Sequence, residues 1–110
     1  MEIVDLNAAA PYDPARFVAE AVASRQHGTV RIIRLAPGQA LPPHTHGASD
    51  LFLYVAEGDA VLETDGGSRL FRAGELAVLT GAEELRVSNA GEAGVTLLAF
   101  LAPPFPPAKN

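Results

Sequence analysis

Cysteine is absent from the chain, and that absence excludes disulfides, thiolate metal sites and cysteine nucleophiles together. With no apolar N-terminal run behind a basic segment either, the expected location is the cytoplasm. Basic residues are few: eight Lys and Arg stand scattered against 13 Asp and Glu, for a net charge of -5. Phosphate binding needs clustered cations, so nucleic acid is not an expected partner. No apolar stretch is long enough to span a bilayer, so a membrane is not expected either. No serine sits in a nucleophile-elbow pattern. Asp65-Gly66 is turn chemistry and not a phosphate loop, because no glycine-rich strand-to-helix crossover surrounds it.

What the chain does have is apolar content: 48% hydrophobic residues, with 10 Gly and 9 Pro as punctuation, over 110 residues. This composition suits one folded, turn-rich domain, since disorder goes with low apolar content and high charge. We expect residues 1–110 to form that domain, with a barrel core over about 29–101, a strand and helix within 1–25, and a proline-rich tail over 102–110.

Residues 1–12 open with Ile3, Val4 and Leu6 around Asp5, a pattern for a short edge strand. Asp13 as N-cap, Pro14 as first helical residue and Phe17, Val18, Ala21 and Val22 at helical spacing predict a short helix over 14–24. From Thr29 the composition becomes strand-like. Strands are expected at 29–35, with Arg31 and Arg34 directed to solvent, at 41–46, and at 51–56, whose near-continuous apolar run suggests burial on both sides. Further strands follow at 60–64, 68–72, 76–79, 85–89 and 95–101. The pair Asp65-Gly66 between two short runs signals a hairpin. About eight short strands at regular intervals indicate a closed barrel or sandwich.

The chain holds three histidines, and His44 and His46 are its one close pair. On an extended segment, residues two apart share a face, so the two imidazoles can converge on one point, which is half of a simple metal site. His27, alone beside Gly28, reads as a solvated turn residue.

Gly38, five residues, His44-Thr45-His46 and then Gly58 resemble the first motif of the cupin superfamily. A Gly at 66 or 67, the turn Phe71-Arg72-Ala73-Gly74-Glu75 and Asn89 resemble its second motif, with Thr80 where proline is usual. The resemblance implies an all-β fold: a double-stranded β-helix, or jelly-roll, barrel, here with one short N-terminal helix. It also implies a metal site of two His and a Glu from the first motif and a His from the second. Counting back from Gly58 and Asn89, the last two positions fall on Leu51 and Leu85. If only three residues follow His46, the carboxylate position is Asp50, which strand alternation turns away from Leu51 unless a bulge intervenes.

Two functions compete. One is a small cupin that binds an organic ligand in its barrel, in a pocket of His44, His46, Leu51, Leu53, Leu85 and Val87, with a degenerate two-histidine metal site. The other is a metal-dependent enzyme of dioxygenase, isomerase or sugar-modifying type, with Zn, Ni, Fe or Mn on His44, His46 and Asp50. Tyr54, by parity with Leu53, points away from such a site, and Glu84 points outward beside Leu85. A homodimer is expected with either, through the N-terminal strand and the proline-rich tail, because an apolar edge needs cover.

Overall fold

The computed structural model describes residues 1–107, so positions 108–110 of the expected tail lie outside the described residues. Eight antiparallel strands make two sheets: β1 (Val18–Arg25), β2 (Gly28–Leu35), β3 (Asp50–Glu57), β4 (Asp59–Thr64), β5 (Gly67–Arg72), β6 (Leu76–Leu79), β7 (Val87–Ser88) and β8 (Val95–Ala102). The larger sheet runs β1-β2-β8-β3-β6 and the smaller β5-β4-β7. Period-two alternation decides what lies between them. On β3, Leu51, Leu53 and Val55 are buried while Asp50, Phe52 and Tyr54 are exposed; on β8, Val95, Leu97, Ala99 and Leu101 turn inward. They meet Ala60, Phe71 and Val87 from the smaller sheet in one core, and each fully buried Leu or Val contributes about 1.5–3 kcal/mol.

The strand expectations from residue 51 onward hold closely except at 85–89, where β7 is two residues long and Leu85 makes a single bridge, and the hairpin turns at Asp65-Gly66, between the paired Thr64 and Gly67. The 85–89 run alternates as expected, with Leu85, Val87 and Asn89 buried. The reading of 51–56 as buried on both sides does not hold within one chain: Phe52 and Tyr54 on the outer face are each 36% exposed.

The N-terminal region differs more. Residues 18–25 form a strand that pairs with β2 from Val18↔Arg34 to Arg25↔Gly28, where a helix over 14–24 was expected. A helix that short is marginal in water, whereas the free edge of β2 offers a full ladder of hydrogen bonds. A bulge between Ala21 and Ala23 breaks the alternation, which is why the sequence does not read as period two. The capping chemistry of Asp13 serves a turn: its Oδ1 accepts from the Ala15 N–H at 2.8 Å. The short helical element is a 3-10 turn at Leu6–Ala8, with Asp5 accepting from the Asn7 N–H. The first twelve residues therefore do not form the edge strand; β1 does.

The expected strand over 41–46 is an extended segment held by bridges at Ala40↔Ser88 and His44↔Leu85. Pro42 and Pro43 lack N–H donors, so no continuous ladder forms.

Candidate functional site: a histidine pair beside an apolar cavity

The interrupted segment places both histidines at one end of the barrel. The backbone N–H of His46 donates to the Gly81 carbonyl at 2.8 Å and its carbonyl accepts from Ser49 at 3.0 Å. Glycine at 81 is required by proximity: a Cβ there would lie 2.0 Å from the Gly47 oxygen. The rings of His44 and His46 are 4.4 Å apart at their centroids, tilted by 60°. His44 Nδ1 lies 2.8 Å from the Pro42 carbonyl oxygen. A carbonyl can only accept, so Nδ1 carries the proton, and in the neutral ring Nε2 keeps its lone pair. His46 is 3% exposed, and its Nδ1 is buried without a partner. Burial, and then the neighbouring His44, push the His46 pKa below the ordinary histidine value.

Beside the pair lies a cavity of about 360 Å³, within the usual range for small-molecule pockets. Ile33, Leu51, Leu85, Ala99 and Leu101 form its apolar wall, and His44, His46 and Arg31 supply its polar groups. Phe105 and Pro106 of the proline-rich tail fold back over it. Ser49 Oγ donates to the Pro103 carbonyl at 2.6 Å, and Phe105 then meets His46 edge-on with centroids 5.4 Å apart.

Of the expected pocket residues, His44, His46, Leu51 and Leu85 line this cavity. Leu53 and Val87 do not: they stand two residues further along their strands, about 7 Å away along the chain, with 0% and 2% exposure inside the core. Asp50 opens β3 on the exposed face, opposite Ala102, in unbroken register through Val55. Strand alternation thus carries its carboxylate away from the histidines. Among the described residues no three or more His, Cys, Asp or Glu side chains come together to hold a metal ion. Zinc and facial-triad metals require three protein donors, so the two imidazoles do not fit a complete centre. Tyr54 and Glu84 face outward as parity predicted, and His27 is an exposed turn residue between β1 and β2.

Arg31 and Phe105 are the functional candidates that the sequence reading missed. Arg31 shares a face with Ile33 and Leu35, so alternation along β2 aims it inward, not to solvent; that signal was available in the spacing. Arg34, of opposite parity, lies on the outer face but under the N-terminal segment, where its guanidinium donates to the carbonyls of Ala10 at 2.8 Å and Leu6 at 3.0 Å. The path of Phe105 depends on the Ser49–Pro103 contact and has no local signal.

The two-sheet architecture and the His-x-His segment have clear counterparts. The sequence model of the cupin domain matches residues 31–101. The chain belongs to the cupin family. This cupin is 30% identical over 71 residues to tetracenomycin polyketide synthase protein TcmJ of Streptomyces glaucescens, a match covering 64% of the chain and 48% of TcmJ. The chain therefore spans about half the length of that relative. Among solved structures, TT1209 of Thermus thermophilus superposes with a TM-score of 0.85 at 30% identity, covering 94% of this cupin and 99% of TT1209. An RmlC-like cupin from Desulfovibrio desulfuricans gives a TM-score of 0.79 at 26% identity, covering 96% and 99% of the two chains. The double-stranded β-helix expected from the sequence is thus the fold. Cupins often bind metals; in this one Leu51 and Leu85, to which the motif resemblance assigns the remaining ligand positions, line the cavity with aliphatic side chains.

Proposed function

We propose that this cupin binds a small organic ligand in the cavity beside His44 and His46, and that its two histidines hold a metal ion weakly at most. The observation that carries this reading is the cavity wall: Leu51 and Leu85 line it, so the space is apolar where a metal cupin would be ligating. An apolar ligand body would be desolvated against that wall, at about 25 cal/mol per Å² of surface removed from water. The lone pair of His44 Nε2 offers one acceptor for orientation. The name of TcmJ, a polyketide synthase protein, is in keeping with an organic occupant. Indole, a neutral aromatic probe, titrated into the ¹⁵N-labelled protein should shift the amides of Leu51, Leu85 and Leu101 and leave the β4–β5 hairpin unmoved. A spectrum unchanged at millimolar indole would overturn the reading.

A metal-dependent enzyme of dioxygenase, isomerase or sugar-modifying type, using Zn, Ni, Fe or Mn on His44, His46 and Asp50, is the second reading. It is favoured by the Nδ1–carbonyl bond of His44, the arrangement by which ligating histidines commonly present Nε2. It requires the start of β3 to turn over. A tight one-to-one metal complex lost in the His44→Ala, His46→Ala double variant and weakened by Asp50→Asn would establish it over the first.

The proposed assembly is a homodimer, with a second copy on the outer face of the larger sheet and neither nucleic acid nor membrane as partner. Among the described residues no helix is long and apolar enough to cross a membrane. The proposed compartment is the cytoplasm, on the absence of cysteine.

A further inference from the structure

We infer that the occupant of the cavity is an organic anion, an apolar body bearing one carboxylate, and that Arg31 is the residue that selects it. This rests on the cavity being a ligand site. The lining contains one arginine and two histidines and not one Asp or Glu, in a chain with 13 acidic residues and a net charge of -5. An acidic protein thus keeps its carboxylates out of this cavity, as it does out of the concavity that Arg25 and His27 line at the β1–β2 turn.

The bonding of Arg31 points the same way. Arg16, Arg25, Arg69 and Arg86 each pair with a carboxylate. Arg34 is satisfied by two carbonyls and the Thr96 hydroxyl. Arg31 has one contact, to the Ala19 carbonyl at 3.5 Å, at the outer limit of a hydrogen bond. Like Arg72, which is exposed, it forms no ion pair among the described residues. It nevertheless stands half-buried on the inward face of β2, beside Ile33. Its bond to Ala19 is exposed and none of its nitrogens is buried without a partner, so most of its five donors are free to meet an acceptor that enters the cavity from solvent. A carboxylate matches the planar guanidinium fork bidentately. The wall of Ile33, Leu51, Leu85 and Leu101 would take up the apolar remainder.

The test compares two probes of equal shape and different charge, indole-3-acetate and indole-3-acetamide, by calorimetric titration at neutral pH and low salt. In the wild-type protein the acid should bind about tenfold or more tightly than the amide, the scale of one charge-assisted bidentate contact. Arg31→Gln should abolish that preference while leaving amide affinity within about twofold, and Arg31→Lys should restore part of it. Melting curves of each variant check folding, which the sparse bonding of Arg31 leaves unaffected. Equal affinities in the wild type would overturn the inference and leave the pocket standing. An acid preference that survives Arg31→Gln would remove Arg31 from the role. If neither probe binds at millimolar concentration, the pocket reading itself fails, and this one with it.

Discussion

His46 is a neutral histidine by virtue of where it sits. Its ring is buried against Phe105 and His44 with Nδ1 unpartnered, and that burial lowers its pKa. In the unfolded chain the same ring takes up a proton near pH 6.5. As pH falls below about 6.5 the unfolded state therefore binds a proton that the folded state refuses, and stability drops. Melting temperatures measured between pH 7.5 and 5 should decline more steeply for the wild type than for His46→Gln, which cannot titrate. Parallel curves would show that the ring is solvated. Asn89 works by the opposite device, full satisfaction. Its Nδ2 donates to the Leu35 and Ala93 carbonyls at 2.9 and 2.8 Å, and its Oδ1 accepts from Gly91 at 3.0 Å. The second motif's asparagine thus ties the loop before β8 to the end of β2. Asn89→Ala should cost about 2–3 kcal/mol in urea unfolding, because it orphans buried carbonyls as well as losing bonds.

Two elements locate the histidine pair: the extended segment 40–46 and the loop that carries Gly81. A methyl group at 81 would press into the Gly47 and Ser49 carbonyls, at 2.0 and 2.7 Å. Gly81→Ala should therefore destabilise the fold by about 1–3 kcal/mol through displacement of backbone, and should shift the His46 imidazole resonances. Unchanged resonances would mean that the loop yields without moving the site. The sequence was most legible where one force acts alone. Strands β3 to β8 follow alternation and turn residues, so they could be read to within a residue or two. It was least legible where two local codes coincide. Asp13-Pro14 serves a helix cap and a turn equally well, and the bulge at 21–23 erased the period that would have favoured a strand. At the site, counting along the motif from Gly58 and Asn89 reached Leu51 and Leu85, which line the cavity, whereas Leu53 and Val87, of the same strand parity, do not. Arg31 obeyed the same parity and was overlooked because charge was taken to mean solvent. The tail could not be placed from local sequence, since one long-range hydrogen bond from Ser49 sets its course.

Over the whole molecule, the larger sheet is covered unevenly. Near Arg34 the N-terminal segment lies across its outer face, held by Tyr12. Arg34 donates to Thr96 Oγ1 at 3.1 Å, and Thr96 lies 2.6 Å from the Tyr12 hydroxyl, which donates to Glu57 at 3.1 Å. Toward β6 nothing among the described residues takes over. Phe52, Tyr54, Leu76, Val78 and Phe100 form an uncharged patch, with Phe52 opposite both Val78 and Phe100 and Val78 62% exposed. A patch of this kind amounts to about 400 Å² of apolar side chain, the scale at which monomer patches become functional. Residues 1–12 and the described part of the tail, expected from the sequence to make the dimer contacts, lie against their own barrel. Light scattering at micromolar concentration should give a dimer mass for the wild type and a monomer mass for Phe100→Glu, with pocket binding of indole retained. A wild-type monomer would refute the assembly.

The course of the tail bears on how the protein is best handled. Phe105 lies against His46, so a polyhistidine affinity tag joined directly after Asn110 would follow Phe105 closely in sequence. Its imidazoles would outnumber the native pair and would bind metal on their own account. Metal analysis and ligand titration belong on protein tagged at the other end, or with the tag cut away.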